Sequence, residues 1–116
     1  MPAPTEIPWN HARAVEVRDL NADGETVIRD PVELAELARL LEVDHAGAGF
    51  VCMCWGDVEF RVRDAAQRTL AVLRLHLGSG LDWHEWAGQL PLLRAEDLTR
   101  WLTDRGLCAT PPAPRL

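Results

Sequence analysis

From Val58 to Arg63 apolar and charged side chains alternate, with Val58, Phe60 and Val62 on one parity and Glu59, Arg61 and Arg63 on the other. That period of two predicts a strand with one face in the core and one in water. The same logic over 50–85 predicts an antiparallel β-meander of four short strands, and the loops between them set a register. Gly56-Asp57 suits a two-residue turn with Gly first, pairing Trp55 with Val58, Met53 with Phe60 and Val51 with Val62. The loop at 65–68 pairs Val62 with Ala71, Phe60 with Leu73 and Val58 with Leu75. Gly78-Ser79-Gly80 puts Leu77 opposite Leu81 and Leu75 opposite Trp83. Directly paired residues share a face, so this register keeps one face apolar throughout.

Upstream, 14–18 and 25–29 flank Asn21-Ala22-Asp23-Gly24, a turn signal that predicts an N-terminal β-hairpin. Asp30-Pro31-Val32-Glu33 reads as a helix start, with Asp30 as N-cap, Pro31 at the first helical position and Glu33 placed for a capping box. Leu34, Leu37, Ala38 and Leu41 then form one apolar stripe. A second helix is predicted over 95–105, with Leu98, Trp101 and Leu102 inward and Gly106 as its stop. Between them, Pro91 argues against helix over 86–93, and that segment is expected to cover an edge of the core.

The expected fold is therefore α+β: a four-stranded meander plus the hairpin, with two helices packed on one sheet face. It occupies 13–107 as a single domain, after a proline-bearing flexible arm over 1–12 and before a proline-rich disordered tail over 108–116. An exposed edge on the fourth meander strand makes a homodimer a candidate assembly.

Composition narrows the class. Hydrophobic residues make up 47% of the 116 and charged residues 26%, ordinary for one globular domain. Every basic residue is Arg, and with much Ala, Leu and Pro this bias suggests a GC-rich bacterial genome. A net charge of −6 argues against nucleic acid as partner and suits a protein with a basic surface. The opening stretch shows no charged leader followed by an apolar core, and no apolar run is long enough to span a bilayer, so neither export nor membrane insertion is expected. Three cysteines, an odd number, read as reduced thiols in a cytoplasm.

Two constellations could carry chemistry. Cys52 and Cys54 project to one side of a strand, and with His76 they would form a thiolate and imidazole set for zinc. In the register above, however, the His76 Cα falls on the order of 12 Å from that of Cys54, too far for one ion to bridge comfortably. The second is a polar row in which His76 lies between Asp57 and Asp82, and Arg74 between Glu59 and His84, with Arg61 alongside. Such a row could serve a general acid or hold a metal or small ligand, and it equally describes solvated cross-strand pairs on an exposed face. The arginines could also grip a carboxylate or phosphate, although Glu59 can neutralise Arg61 and Arg74 locally. Of five tryptophans, Trp55, Trp83 and Trp101 fall at core positions, whereas Trp9 and Trp86, on less regular segments, are expected to cover the core, with interface anchors as the alternative reading.

The stretches GFVCMCWGD and LHLGSGLDWHEWAGQL, with Cys52, Cys54, His76, Gly78, Gly80, Trp83 and Trp86 at the matching positions, resemble an uncharacterised group of small bacterial proteins. In that group a strand of the form F-x-C-x-C-x-G precedes an L-H-x-G-x-x-x-x-W-x-x-W stretch. The resemblance spans about the last two-thirds of the chain and directs attention to Cys52, Cys54 and His76 without assigning an activity.

The leading functional expectation is a small cytoplasmic protein-binding or regulatory module, acting through Asp57, Glu59, Arg61, Arg74, His76, Asp82, His84 and Trp86, and able to neutralise a basic partner as immunity proteins do. The alternative is a metal- or small-ligand-binding protein with its site around His76.

Overall fold

The computed structural model describes residues 7–20, 24–46, 58–76, 80–86 and 89–107. Strands β1 (Ala14–Asp19), β2 (Glu25–Ile28), β3 (Val58–Arg63), β4 (Thr69–His76), β5 (Gly80–Asp82) and β6 (Leu90–Pro91) form one antiparallel sheet in the order β2-β1-β3-β4-β5-β6. Helices α1 (Pro31–Leu40) and α2 (Ala95–Asp104) bury Leu34, Leu37, Leu40, Leu98, Trp101 and Leu102 in the same core as Val15, Val17, Val58, Phe60, Val62, Leu73, Leu75 and Leu81 of the sheet. The α+β class and the two helices on the apolar sheet face are thus as expected.

The expected pairing of β3 with β4 holds at all three positions: Val62 faces Ala71, Phe60 faces Leu73 and Val58 faces Leu75. The other side of β3 departs from expectation. It is taken by β1, with Val15 opposite Val62, Val17 opposite Phe60 and Asp19 opposite Val58, so the places assigned to Val51, Met53 and Trp55 are filled. Charge favours this neighbour: Glu16 stands opposite Arg61 and Arg18 opposite Glu59, where the expected register offered two cysteines. The N-terminal hairpin is therefore part of the main sheet. Residues 51–55, with Cys52 and Cys54, lie outside the described residues, as does Asp57.

The register of β5 also differs from expectation. Leu75 pairs with Leu81, His76 with Gly80 and Arg74 with Asp82, a shift of two residues from the expected ladder. An even shift preserves parity, so every side chain keeps its expected face. Nor is β5 the edge of the sheet: β6 covers it, with Gly80 opposite Pro91 and Leu81 opposite Leu90. Segment 42–44 closes β6 in turn, through Asp44 N–H to the Pro91 carbonyl (2.9 Å), Leu93 N–H to the Glu42 carbonyl (3.1 Å) and a bridge between Val43 and Leu92. Pro91, having no N–H, is tolerated at such an edge position.

Both helix ends follow from local chemistry. The Asp30 carboxylate accepts from the Glu33 N–H at 3.4 Å, as an N-cap should, while the Glu33 carboxylate goes not to Asp30 but to Arg105, just past the end of α2, at 2.8 Å. α2 ends in a left-handed Gly106 (φ 74°), where Leu107 N–H donates to the Leu102 carbonyl and Gly106 N–H to that of Thr103. This Schellman turn folds Leu107 back into the core. Arg94, donating to Glu42 and to the Arg39 carbonyl, ties the other end of α2 to α1. No helix among the described residues is long and apolar enough to cross a membrane.

Candidate functional site

The polar sheet face holds most of the predicted site residues, but it is not uniformly wet. Glu59 is only 8% exposed and His76 only 5%. Glu59 is flanked across the ladder by Arg18 and Arg74, and its Oε1 lies 3.6 Å from Arg61 and 4.0 Å from Arg74. One carboxylate thus serves several guanidiniums. Further along, Arg63 Nε donates to Glu16 at 2.7 Å. Asp82 stands opposite Arg74 and also reaches diagonally to His76, Oδ2 to Nε2 at 3.7 Å. The charges on this face are therefore largely spent on one another.

His84 does not join the row. Its Nε2 lies 3.1 Å from Glu85 Oε1 and its ring meets Trp83 edge-on, so Arg74 sits between Glu59 and Asp82 rather than between Glu59 and His84. Among the described residues no three of His, Cys, Asp and Glu are gathered as a metal site. The zinc set proposed from Cys52, Cys54 and His76 falls partly outside those residues, as does the Asp57 side of the row.

A different feature emerges on the helical side of the domain. Trp83 enters the core at 5% exposure. Its ring carries Trp86 edge-on at 5.6 Å, and Trp86 in turn meets His45 edge-on at 5.9 Å. Such T-shaped contacts place a positive ring edge on a negative face and hold each ring in one orientation. The Trp86 N–H donating to the Trp83 carbonyl at 2.9 Å fixes the turn that carries them. On the opposite wall Ile7 and Trp9, the latter in a single 3-10 turn (Trp9–His11), pack half-buried against the core.

Between these walls runs an open cleft of about 670 Å³, lined by Ile7, Trp9, Ala35, Ala38, Leu41, Val43, His45 and Trp86, with Arg39 and Glu42 on its rim. Ala35 and Ala38 form part of its lining because α1 carries small side chains on that side, which leaves room beside the indole of Trp9. Beyond Trp9 a second cleft of about 480 Å³ continues along α1 past Ala12, Arg13, Arg29, Pro31 and Leu34. Arg39 has no carboxylate partner among the described residues, whereas Glu42 is held by Arg94 at 2.9 Å.

The sequence favoured core cover for Trp86 and Trp9 over an anchor role, and both do pack against the core, but the cleft they line together was missed. Ala35, Ala38 and His45 carry no signal of their own; only the small residues on one side of an otherwise Leu- and Glu-rich helix hint at it. Comparison of the chain with family models, with curated proteins and with solved structures finds no match.

Proposed function

We propose that the chain is a small protein-binding module that grips an apolar side chain of a polypeptide partner between Trp9, Trp86 and α1. The observation that carries this reading is the cleft itself: two half-buried indoles, far apart in the chain, line one cleft together with small and aliphatic side chains. Tryptophan in that setting gives large contact area with little entropy to lose, which is why it dominates binding hot spots. The net charge of −6 favours basic residues around the inserted side chain, and neutralising a basic partner in a cytoplasm is a role that suits such a module.

The polar sheet face supports the role less well, because Glu16, Glu59 and Asp82 already answer Arg63, Arg61, Arg74 and His76. The metal or small-ligand reading around His76 has less support still, since His76 lines neither of the clefts described above.

A random-peptide display selection on the wild-type protein tests the proposal. Enriched peptides carry an aliphatic or proline anchor beside Arg or Lys, and their binding is lost with Trp86→Ala or Trp9→Ala and kept with Arg74→Ala. Enrichment that ignores both tryptophans, or that disappears only with Arg74→Ala, moves the binding surface to the sheet and refutes the cleft.

A further inference from the structure

We propose that two copies of the chain pair edge to edge through β2, extending the sheet across a two-fold axis at Val27. The two edges of the sheet are unlike. At β6 the outermost strand carries Pro91 and is covered by 42–44. At β2 the ladder with β1 runs from Val15–Ile28 to Arg18–Glu25 without a bulge or a proline, and among the described residues no further strand pairs with it. Proteins usually blunt such an edge, and one left straight and open is a template for another strand.

Which groups face outward follows from the ladder. Asp19 N–H donates to the Gly24 carbonyl at 2.8 Å, so Gly24 and each second residue after it, Thr26 and Ile28, turn their backbone groups to β1. Glu25, Val27 and Arg29 turn theirs away from the sheet. Laid antiparallel against a second copy with Val27 opposite Val27, these three residues pair their outward N–H and C=O groups in register. The same register sets Glu25 of each copy opposite Arg29 of the other.

The side chains fit that arrangement. Val27 stands opposite Glu16 and Glu25 opposite Arg18, so Glu25 and Val27 project from the polar face, while Arg29, exposed one residue past the ladder, also borders the second cleft. Neither Glu25 nor Arg29 has an ion-pair partner among the described residues. Two large apolar side chains also stay exposed in β2 and the turn before it: Val27 at 38% and Leu20 at 39%. A self-complementary charge pair flanking an exposed valine is what an isologous interface requires. The occupant of this edge is thus a second copy of the chain, independent of what the cleft binds.

Sedimentation velocity across a concentration series, with circular dichroism on every variant, tests the proposal. The wild type shows a reversible monomer–dimer equilibrium. Glu25→Arg and Arg29→Glu each weaken it by about tenfold or more, as opposed like charges replace two ion pairs, and the double variant restores it. The milder Glu25→Gln and Arg29→Gln weaken association in the same direction without risk to the fold. A wild type monomeric throughout, single reversals that dimerise like the wild type, or a folded double variant that stays monomeric overturns the proposal.

Discussion

His76 Nε2 lies 3.7 Å from the Asp82 carboxylate although the residue directly across the ladder from His76 is Gly80. The contact is diagonal, since Gly80 has no side chain to offer the imidazole. Asp82 therefore stands opposite Arg74 in the ladder while its carboxylate reaches His76, one row on. A double-mutant cycle with His76→Asn and Asp82→Asn in urea unfolding is expected to give a coupling of about 0.5–1 kcal/mol. A cycle between Arg74→Ala and His84→Ala is expected to be additive, because His84 turns instead to Glu85. Coupling in the second pair would restore the register expected from the loop sequence, in which Arg74 and His84 are direct partners, and no coupling in the first would contradict the diagonal contact.

The β3–β4 connection is held by Asp64, whose Oδ1 accepts from the Ala66 and Arg68 N–H groups, both at 2.9 Å, while Oδ2 accepts from Arg68 Nε at 3.2 Å. The Arg68 N–H above all, with the Ala66 N–H and the guanidinium, holds the Asp64 carboxyl below the ordinary carboxylate range. The fold thus favours the charged form, so its contribution is complete above the ordinary carboxylate pKa and lost as pH falls through the lowered one. Asp64→Asn is expected to lower the urea midpoint at neutral pH, and the two proteins should converge in acid. In the same loop Gln67 holds φ at 65°. Gln67→Gly is expected to stabilise the protein by about 0.5–1 kcal/mol, as relief of the left-handed strain outweighs glycine's extra entropy.

At the end of α2, Gly106→Ala is expected to cost about 1 kcal/mol, since its φ of 74° strains any Cβ. Leu107→Ala should cost about 2–5 kcal/mol, because the side chain that the turn returns to the core is only 2% exposed. Thermal or urea unfolding of both variants checks the order. Equal small effects would mean that the turn is not what fastens α2.

What could be read from the chain was local. The Asp30 cap, the stripe of α1, the Gly106 stop and the Val58/Phe60/Val62 alternation each depend on residues a few positions apart, and the structure has each of them. The neighbour of β3 could not be read in this way. Val15 and Val17 alternate just as Val51, Met53 and Trp55 do, and the Gly56-Asp57 turn signal favours the nearer segment. Only the long-range charge match of Glu16 and Arg18 to Arg61 and Glu59 points to β1. The shift at β5 was invisible for a related reason: moving by two leaves the hydrophobic pattern unchanged. As to the candidate site, parity placed His76 and Glu59 on the polar face but said nothing of their burial, and a cleft built from Ala35, Ala38, His45 and two distant tryptophans exists only once α1 is docked.

The cleft is tested most directly by fluorine NMR of protein labelled with fluorotryptophan, the five resonances assigned by single Trp→Phe variants, and titrated with a peptide from the display selection. Saturable shifts of the Trp9 and Trp86 resonances, with Trp101 unmoved beneath the Arg105 guanidinium 3.9 Å above its ring, are the predicted result. A bound peptide that leaves Trp9 and Trp86 unshifted would put the binding surface outside the cleft.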